Sequence, residues 1–262
     1  MYADLHCHLL PGIDDGAKDL EQSLAMARIA VDDGIRTTVV TPHHLNGVYA
    51  NPASDVLNAV SELREALLAE GIPLKILPGT ELHLVPELPE ELMAGRALTV
   101  ANQKKAVLVE LPVHTVPLGS EHLLEQLLSM GLQPIIAHPE RNSQLRANPD
   151  LLEEWVGMGC LGQVTAQSCT GQFGPQVQES ARGMIHQGLI HVVASDAHRD
   201  RRRIPKLSEA QAQIERWTNP SLAALICIEF PNQLIEGEAP NINRLLEALP
   251  PPRNQWWRRL FG

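Results

Sequence analysis

Nine side chains along this chain of 262 residues can hold a cation, and nearly all of them close short apolar runs: His6, His8, Asp15, His43, Glu81, Glu110, His138, Asp196 and His198. The densest local groups are His6-Cys7-His8, after a hydrophobic start, and Ser195-Asp196-Ala197-His198, after Val192-Val193-Ala194. Residues two apart on an extended chain share a face. His6 and His8 can therefore grip one ion while Cys7 points elsewhere, and Asp196 and His198 repeat that geometry. Asp15 stands in Ile13-Asp14-Asp15-Gly16, which also reads as a turn leading into a helix cap, a reading that suits Asp14. His43 and His44 follow Val39-Val40-Thr41-Pro42, one to ligate and the other to pack or orient. A carboxylate at Glu81 can bridge two cations. Glu110, inside Val107-Leu108-Val109-Glu110-Leu111, is costly to bury unless it is paired or metal-bound.

Mixed imidazole and carboxylate donors suit manganese, iron or zinc, without choosing among them. Two or three such ions would lower the pKa of a shared water to give hydroxide near neutral pH and would clamp an anionic oxygen. Cationic side chains stand beside the candidate ligands: Arg141 follows His138-Pro139-Glu140, and Arg199, Arg201, Arg202 and Arg203 follow His198. A guanidinium fork donates two hydrogen bonds to phosphate at once. Arg141 and Arg203 are the candidates to hold a phosphate, and the rest of the run reads as a solvated loop. Cysteine-based phosphatase chemistry is excluded by spacing: the sixth residue after Cys7, Cys160, Cys169 and Cys227 is Ile13, Ala166, Pro175 and Gln233, never Arg. No phosphate-cradling G-x-x-x-x-G-K-[S/T] loop is present either.

These residues need a scaffold that brings strand ends together. Apolar runs at 2–5, 37–41, 75–82, 106–111, 133–137, 161–165 and 191–195 predict seven strands. Helical spacing fills 20–33, 53–70, 120–130, 150–158 and 175–187, each run stopping at a glycine. Alternation of strands and helices favours a parallel sheet with crossover helices. The polar residues follow the strands all the way round the chain, which favours a seven-stranded (β/α) barrel over an open doubly wound sheet, where they would gather at one switch point.

Composition bounds the rest. Hydrophobic residues make up 44% and aromatics 3%, so a single large core must be built from Leu, Ile, Val and Ala. A formal charge of -10 argues against nucleic acid as a partner. Scattered cysteines suit a reducing cytoplasm, and neither a signal peptide nor an apolar run long enough for a transmembrane helix is visible. Residues 250–262 form a Pro/Trp/Arg-rich tail, with Trp256, Trp257, Arg258 and Arg259 suited either to pack on the protein or a second subunit, or to rest on a membrane surface. His114, His122 and His186 read as surface residues, His191 opens a strand, and His83 shares a face with Glu81.

The segments MYADLHCHLLPGIDDGAK (1–18), TPHHLNG (41–47), GTEL (79–82), AHPERN (137–142) and ASDAH (194–198) resemble the polymerase and histidinol phosphatase (PHP) superfamily. Within it they are most similar to the bacterial manganese-dependent protein tyrosine phosphatases of capsule and exopolysaccharide clusters. The resemblance runs from residue 1 to about residue 231, with the motifs in order. It implies a PHP phosphatase domain over 1–249, a distorted seven-stranded TIM-like barrel, and three divalent metal ions. His6, His8, Glu81 and Asp196 would hold the first ion, Glu81, Glu110 and His138 the second, and Asp15, His43 and His198 the third. Asp15 is preferred to Asp14 because the family's ligand directly precedes the glycine. Arg141, Asp196 and His198 become the candidate catalytic residues: Arg141 on the phosphate, Asp196 on metal, His198 a possible proton source. The implied substrate is phosphotyrosine in a protein, a membrane-bound bacterial tyrosine kinase, met at the cytoplasmic face of the inner membrane. The alternative is a small phosphate ester such as histidinol phosphate. His83 departs from the longer or more basic residue many relatives carry, and the tail matches no motif.

Overall fold

The computed structural model describes residues 1–251; Trp256, Trp257 and their neighbours in the predicted tail lie outside the described residues. Among the described residues nine strands run in chain order: β1 (Tyr2–Cys7), β2 (Ile35–Val40), β3 (His43–His44), β4 (Lys75–Pro78), β5 (Glu81–His83), β6 (Ala106–Glu110), β7 (Gln133–Ala137), β8 (Leu161–Thr165) and β9 (Val192–Ala194). They form two sheets, of order β1-β2-β4 and β3-β5-β6-β7-β8-β9, and every pairing is parallel.

The predicted count of seven strands is corrected to nine, and both extra strands come from one interruption. Pro42 has no N–H to donate, so the ladder that β2 begins breaks there. Opposite it, a side chain at Gly79 would put its Cβ 2.6 Å from Val39 Cγ1, so the backbones cross too closely for regular pairing. Val40 pairs with Pro78 before the break and His43 with Glu81 after it. The offset is the same on both sides, so one ladder has been cut, and the cut gives His43 and Glu81 their own short strands. The first strand also meets the segment after the last: Cys7 bridges Ala197, Asp196 N–H donates to His6 O (2.7 Å) and His8 N–H donates to Ala197 O (2.9 Å).

The five predicted helices fall where the spacing put them, and further helices such as Ser208–Trp217 and Ile242–Ala248, which the spacing did not predict, are added to them. Leu20–Asp32 starts at Asp19, whose side chain accepts from Gln22 N–H, and stops before Gly34 (φ 95°). Ala53–Ala69 buries Val56, Val60, Leu63 and Leu67, one stripe of an amphipathic helix. Asp150–Met158 stops at Gly159 (φ 115°). The core divides in two. Ala106, Leu108, Ile135, Ala137, Leu161 and Val192 point to an inner cluster that Ala3, Leu5 and Val39 of the other sheet also join. Their alternates Val107, Val109, Ile136, Val164 and Val193 meet the helices. Period-two alternation thus gives both strand faces an apolar partner, as parallel strands under helices require.

His191 is fully buried just before β9, and its Nδ1 accepts from Gly162 N–H (3.1 Å). Burial pushes its imidazole down to about 4 from the ordinary 6.5. The unfolded chain then takes up a proton between those values that the folded chain refuses. The stabilisation is complete above pH 6.5 and is lost as pH falls toward 4. Between pH 6.5 and 5 the metal-free protein is expected to lose about 2 kcal/mol more than a His191→Gln variant. Urea unfolding at the two pH values measures this, and parallel slopes for the two proteins would contradict it.

Candidate metal centre

All nine candidate ligands converge at one end of the sheets, at or beyond the C-terminal ends of β1, β2, β4, β6, β7 and β9. His6 and His8 come from β1 and the residue after it, His43 from β3, Glu81 from β5, Glu110 from β6, His138 from just past β7, and Asp196 and His198 from just past β9. Asp15 reaches in from the loop after β1. Two of them, His138 (φ 36°) and Asp196 (φ 48°), adopt left-handed backbone that only glycine visits freely. Non-glycine residues hold that conformation at a cost of roughly 1–3 kcal/mol, sustained where a site dictates the side-chain direction.

Glu81 lies at the centre. Its Oε2 is 3.2 Å from His6 Nε2, 3.3 Å from His8 Nε2 and 3.0 Å from His43 Nδ1, and its Oε1 is 3.0 Å from His138 Nε2. Asp196 Oδ1 is 3.3 Å from His6 Nε2 and 3.4 Å from His8 Nε2. His43 and His198 both approach Asp15 Oδ1, at 3.4 and 3.3 Å. The donor atoms fall into four overlapping groups, His8/Asp15/His43/His198, His6/His8/Glu81, His6/His138/Asp196 and His43/Glu81/Glu110, with all atoms of a group within 4.8 Å of one another. The groups cut across the three sets implied by resemblance: His8 also faces Asp15, and His43 joins Glu81 and Glu110, with His138 3.0 Å from Glu81 Oε1 and 3.8 Å from Glu110 Oε1.

The chemistry of these contacts fits cations between them. His8 Nδ1 is 2.7 Å from Asp14 Oδ2 and His6 Nδ1 is 2.8 Å from Gln163 Oε1. Both oxygens only accept, so each imidazole keeps a proton on Nδ1 and would offer the lone pair of Nε2 to a cation inside the cluster. Those two Nε2 atoms are 3.2 Å apart. Glu81 Oε2 and His43 Nδ1 are buried and close, yet no hydrogen bond is aligned on either. Lone pairs crowded without hydrogen-bond geometry are what a set of ligands around divalent ions looks like.

In the protein alone, burial opposes ionisation of Glu81, but His6, His138 and His43 hold its carboxyl well below the usual range. Burial likewise opposes the charge on Asp196, which His6, Arg141 and Arg203 overcome. His43 is lifted to about 10 by Asp15 and Glu81 against its burial, while burial and His8 push His198 down to about 4.

Both candidate phosphate arginines reach the site and end on one oxygen. Arg141 Nη1 donates to Asp196 Oδ2, and Arg203 Nη2 does so at 2.6 Å. The guanidinium of Arg141 also lies 5.0 Å from the centre of the Phe173 ring. Arg199 donates to the carbonyls of Asp15 and Gly16, tying the two loops of the mouth together, whereas Arg201 and Arg202 are exposed. Of the adjacent histidines, His43 faces the cluster and His44 Nδ1 accepts from Asn51 N–H (3.0 Å), fixing the following loop. His83 stands at the rim, 3.7 Å from Glu110 Oε2. His114 and His122 are exposed, and His186 is half-buried.

Sequence reasoning missed the residues behind the ligands. Asp14 is both the predicted turn, accepting from Gly16 N–H (2.8 Å), and the partner of His8. Gln163, a polar residue inside the apolar Leu161–Thr165, orients His6. Asp4 accepts from Ser195 N–H (2.9 Å) and Oγ, fixing the segment that carries Asp196. A charged or amide residue in a buried strand was the available signal for Gln163 and Asp4. Because such partners set ligand orientation, Asp14→Asn is expected to weaken metal binding by ~10–100-fold. Titration of the metal-free variant with manganese checks this; wild-type affinity would contradict it.

Over 259 residues the chain is 40% identical to the tyrosine-protein phosphatase YwqE of Bacillus subtilis, covering 99% of this chain and 98% of that protein. It is 28% identical over 237 residues to the tyrosine-protein phosphatase CpsB of Streptococcus pneumoniae, covering 88% and 97%. Among solved structures, one from work on YwqE and CpsB, described as unique metal-dependent tyrosine phosphatases, superposes with a TM-score of 0.86 at 39% identity over 90% of this chain and 95% of that one. A lactonase from Listeria monocytogenes, at TM-score 0.50 and 10% identity, shares the fold alone. The model of the capsular polysaccharide synthesis family, CpsB/CapC, matches residues 2–236, and the chain belongs to that family.

Proposed function

We propose that this protein is a metal-dependent phosphatase that releases phosphate from phosphotyrosine in proteins. One observation carries the reading: nine imidazoles and carboxylates converge on one mouth in overlapping groups of donor atoms within 4.8 Å of one another, and two arginines stand beside them. The names of the relatives point to the same reaction. The strands are read as a distorted barrel, its circuit completed by the bridge between Cys7 and Ala197. Residues 1–249 are read as the phosphatase domain.

Three divalent ions, manganese first among them, fit a donor set of this size and hardness. When bound they supply an acidified water and a positive field for the phosphate oxygens. The protein's part is to hold and orient. Glu81 and Asp196 set the spacing of the site. Arg141 and Arg203 neutralise the non-bridging oxygens, each turning from Asp196 Oδ2 to the phosphate. A phenol of pKa ≈ 10 leaves readily, so solvent suffices to protonate it. The low pKa of His198 suits a ligand better than a proton donor.

The physiological target is a tyrosine-phosphorylated kinase of capsule or exopolysaccharide synthesis, met in the cytoplasm at the inner face of the membrane. Among the described residues no helix is long and apolar enough to cross a membrane. The test is phosphate release from a phosphotyrosyl peptide and from histidinol phosphate, after chelation and after return of manganese, iron(II) or zinc, with metal content measured per chain. Activity on the peptide that vanishes on chelation and returns with about three ions per chain is expected. Release from histidinol phosphate alone, or release that survives chelation with no metal left, would overturn the reading.

A further inference from the structure

The chain is poor in aromatic residues, and where it places them is informative. Residues 1–251 contain Tyr2, Tyr49, Trp155, Phe173, Trp217 and Phe230. Trp155 and Phe230 lie in the core, and Tyr2 and Trp217 pack against it. Tyr49 and Phe173 join neither hydrophobic cluster. Each instead lies on a residue of the metal centre: Tyr49 stacks on His43 (6.1 Å between centres, 9° between planes) and Phe173 on Arg141. Burial of apolar surface in the core therefore accounts for neither.

The two rings are not equivalent. The partner of Phe173 is a cation, so that ring serves to hold the phosphate arginine. Tyr49 has one face on His43 and is only half-buried, so its other face remains for a ligand. Val48 beside it is 79% exposed. The loop is nonetheless fixed. Asn46 Oδ1 accepts from the N–H groups of Val48 (3.0 Å) and Tyr49 (2.8 Å), and Asn51 Nδ2 donates to His43 O (2.8 Å) and Ile13 O (3.1 Å). A half-exposed ring on a loop braced to the floor of a site is a prepared surface.

We infer that Tyr49, with Val48, forms the platform that receives the aromatic ring of the substrate and so makes Tyr49 a specificity-determining residue. This rests on the proposed phosphotyrosine activity. Phosphorus and phenyl ring are joined through one oxygen, so a ring whose phosphate sits over the ions must lie within a few ångströms of the ligands. A flat apolar neighbour parallel to His43 offers offset stacking to a phenyl group and nothing comparable to an alkyl ester.

The experiment uses the manganese-loaded full chain as wild type, Tyr49→Ala and Tyr49→Phe. Three quantities are read: KM and kcat on a phosphotyrosyl peptide, inhibition constants for phenylphosphonate and for inorganic phosphate, and manganese per chain. Tyr49→Ala should raise KM and the phenylphosphonate constant by three- to tenfold, leaving kcat, the inorganic phosphate constant and metal content within twofold. Tyr49→Phe should stay within twofold of wild type throughout. If Tyr49→Ala weakens both inhibitors alike or loses manganese, the ring merely supports His43 and the inference is overturned; unchanged constants overturn it as well. A wild type that releases no phosphate from the peptide counts instead against the functional reading.

Discussion

Glu81→Gln is expected to cut kcat on a phosphotyrosyl peptide by at least ~10²-fold, the scale on which one preorganised electrostatic group contributes. The carboxylate touches His6, His8, His43 and His138, and it takes part in two of the four donor groups. An amide of the same shape keeps one oxygen but loses the charge that gathers cations between those imidazoles. Metal content per chain should fall with turnover. The fold should persist, because the strand carrying Glu81 is held by Leu82, which is fully buried, and by pairing with β3 and β6. Circular dichroism and elemental analysis on the same sample separate the two effects. A folded variant with full metal and near-normal kcat would remove Glu81 from the centre of the site.

The second large effect is expected from a single methyl group. A Cβ at Gly16 would stand 2.3 Å from His8 O, 2.5 Å from His8 Cβ and 2.8 Å from Asp14 Oδ1. Two of these neighbours belong to His8 and the third to the carboxylate that orients it. Gly16→Ala must therefore push the Asp14–Gly16 turn off β1, moving Asp15 and breaking the Asp14 contact to His8. Overpacking of this kind costs about 1–3 kcal/mol of stability. Manganese affinity should fall by at least ~10-fold as well, the penalty for losing a partner that orients a ligand. Thermal unfolding of the metal-free variant and a manganese titration measure the two losses. Affinity unchanged beside a lowered Tm would show that the turn and the ligands move independently.

Much of the site was legible because its residue types are out of place in their surroundings. A charged or imidazole side chain closing an apolar strand, as at Glu110, His138 and Asp196, costs too much to be accidental. Strand and helix positions followed from periodicities of two and 3.6, and parallel order from their alternation. The division of 75–82 was not legible, since it depends on a close approach of Gly79 to Val39, residues far apart in the chain. The same holds for the short strand at His43, which exists only because Glu81 lies beside it. Asp14 was read as a turn residue and is one; its second role needed the position of His8. Tyr49 and Phe173 sit in loops without periodicity, where sequence carries no directional signal. Arg141 and Arg203 were recognisable as cations beside the candidate ligands, but their shared attachment to Asp196 was not.

The bridge between Cys7 and Ala197 bears on how the enzyme comes into being. Asp196 and His198 are made nearly two hundred residues after His6 and His8. No nascent chain ending before that point possesses the full donor set. Closure over so long a separation is slow compared with formation of local helices. Assembly of the full donor set thus waits until the two distant segments have met.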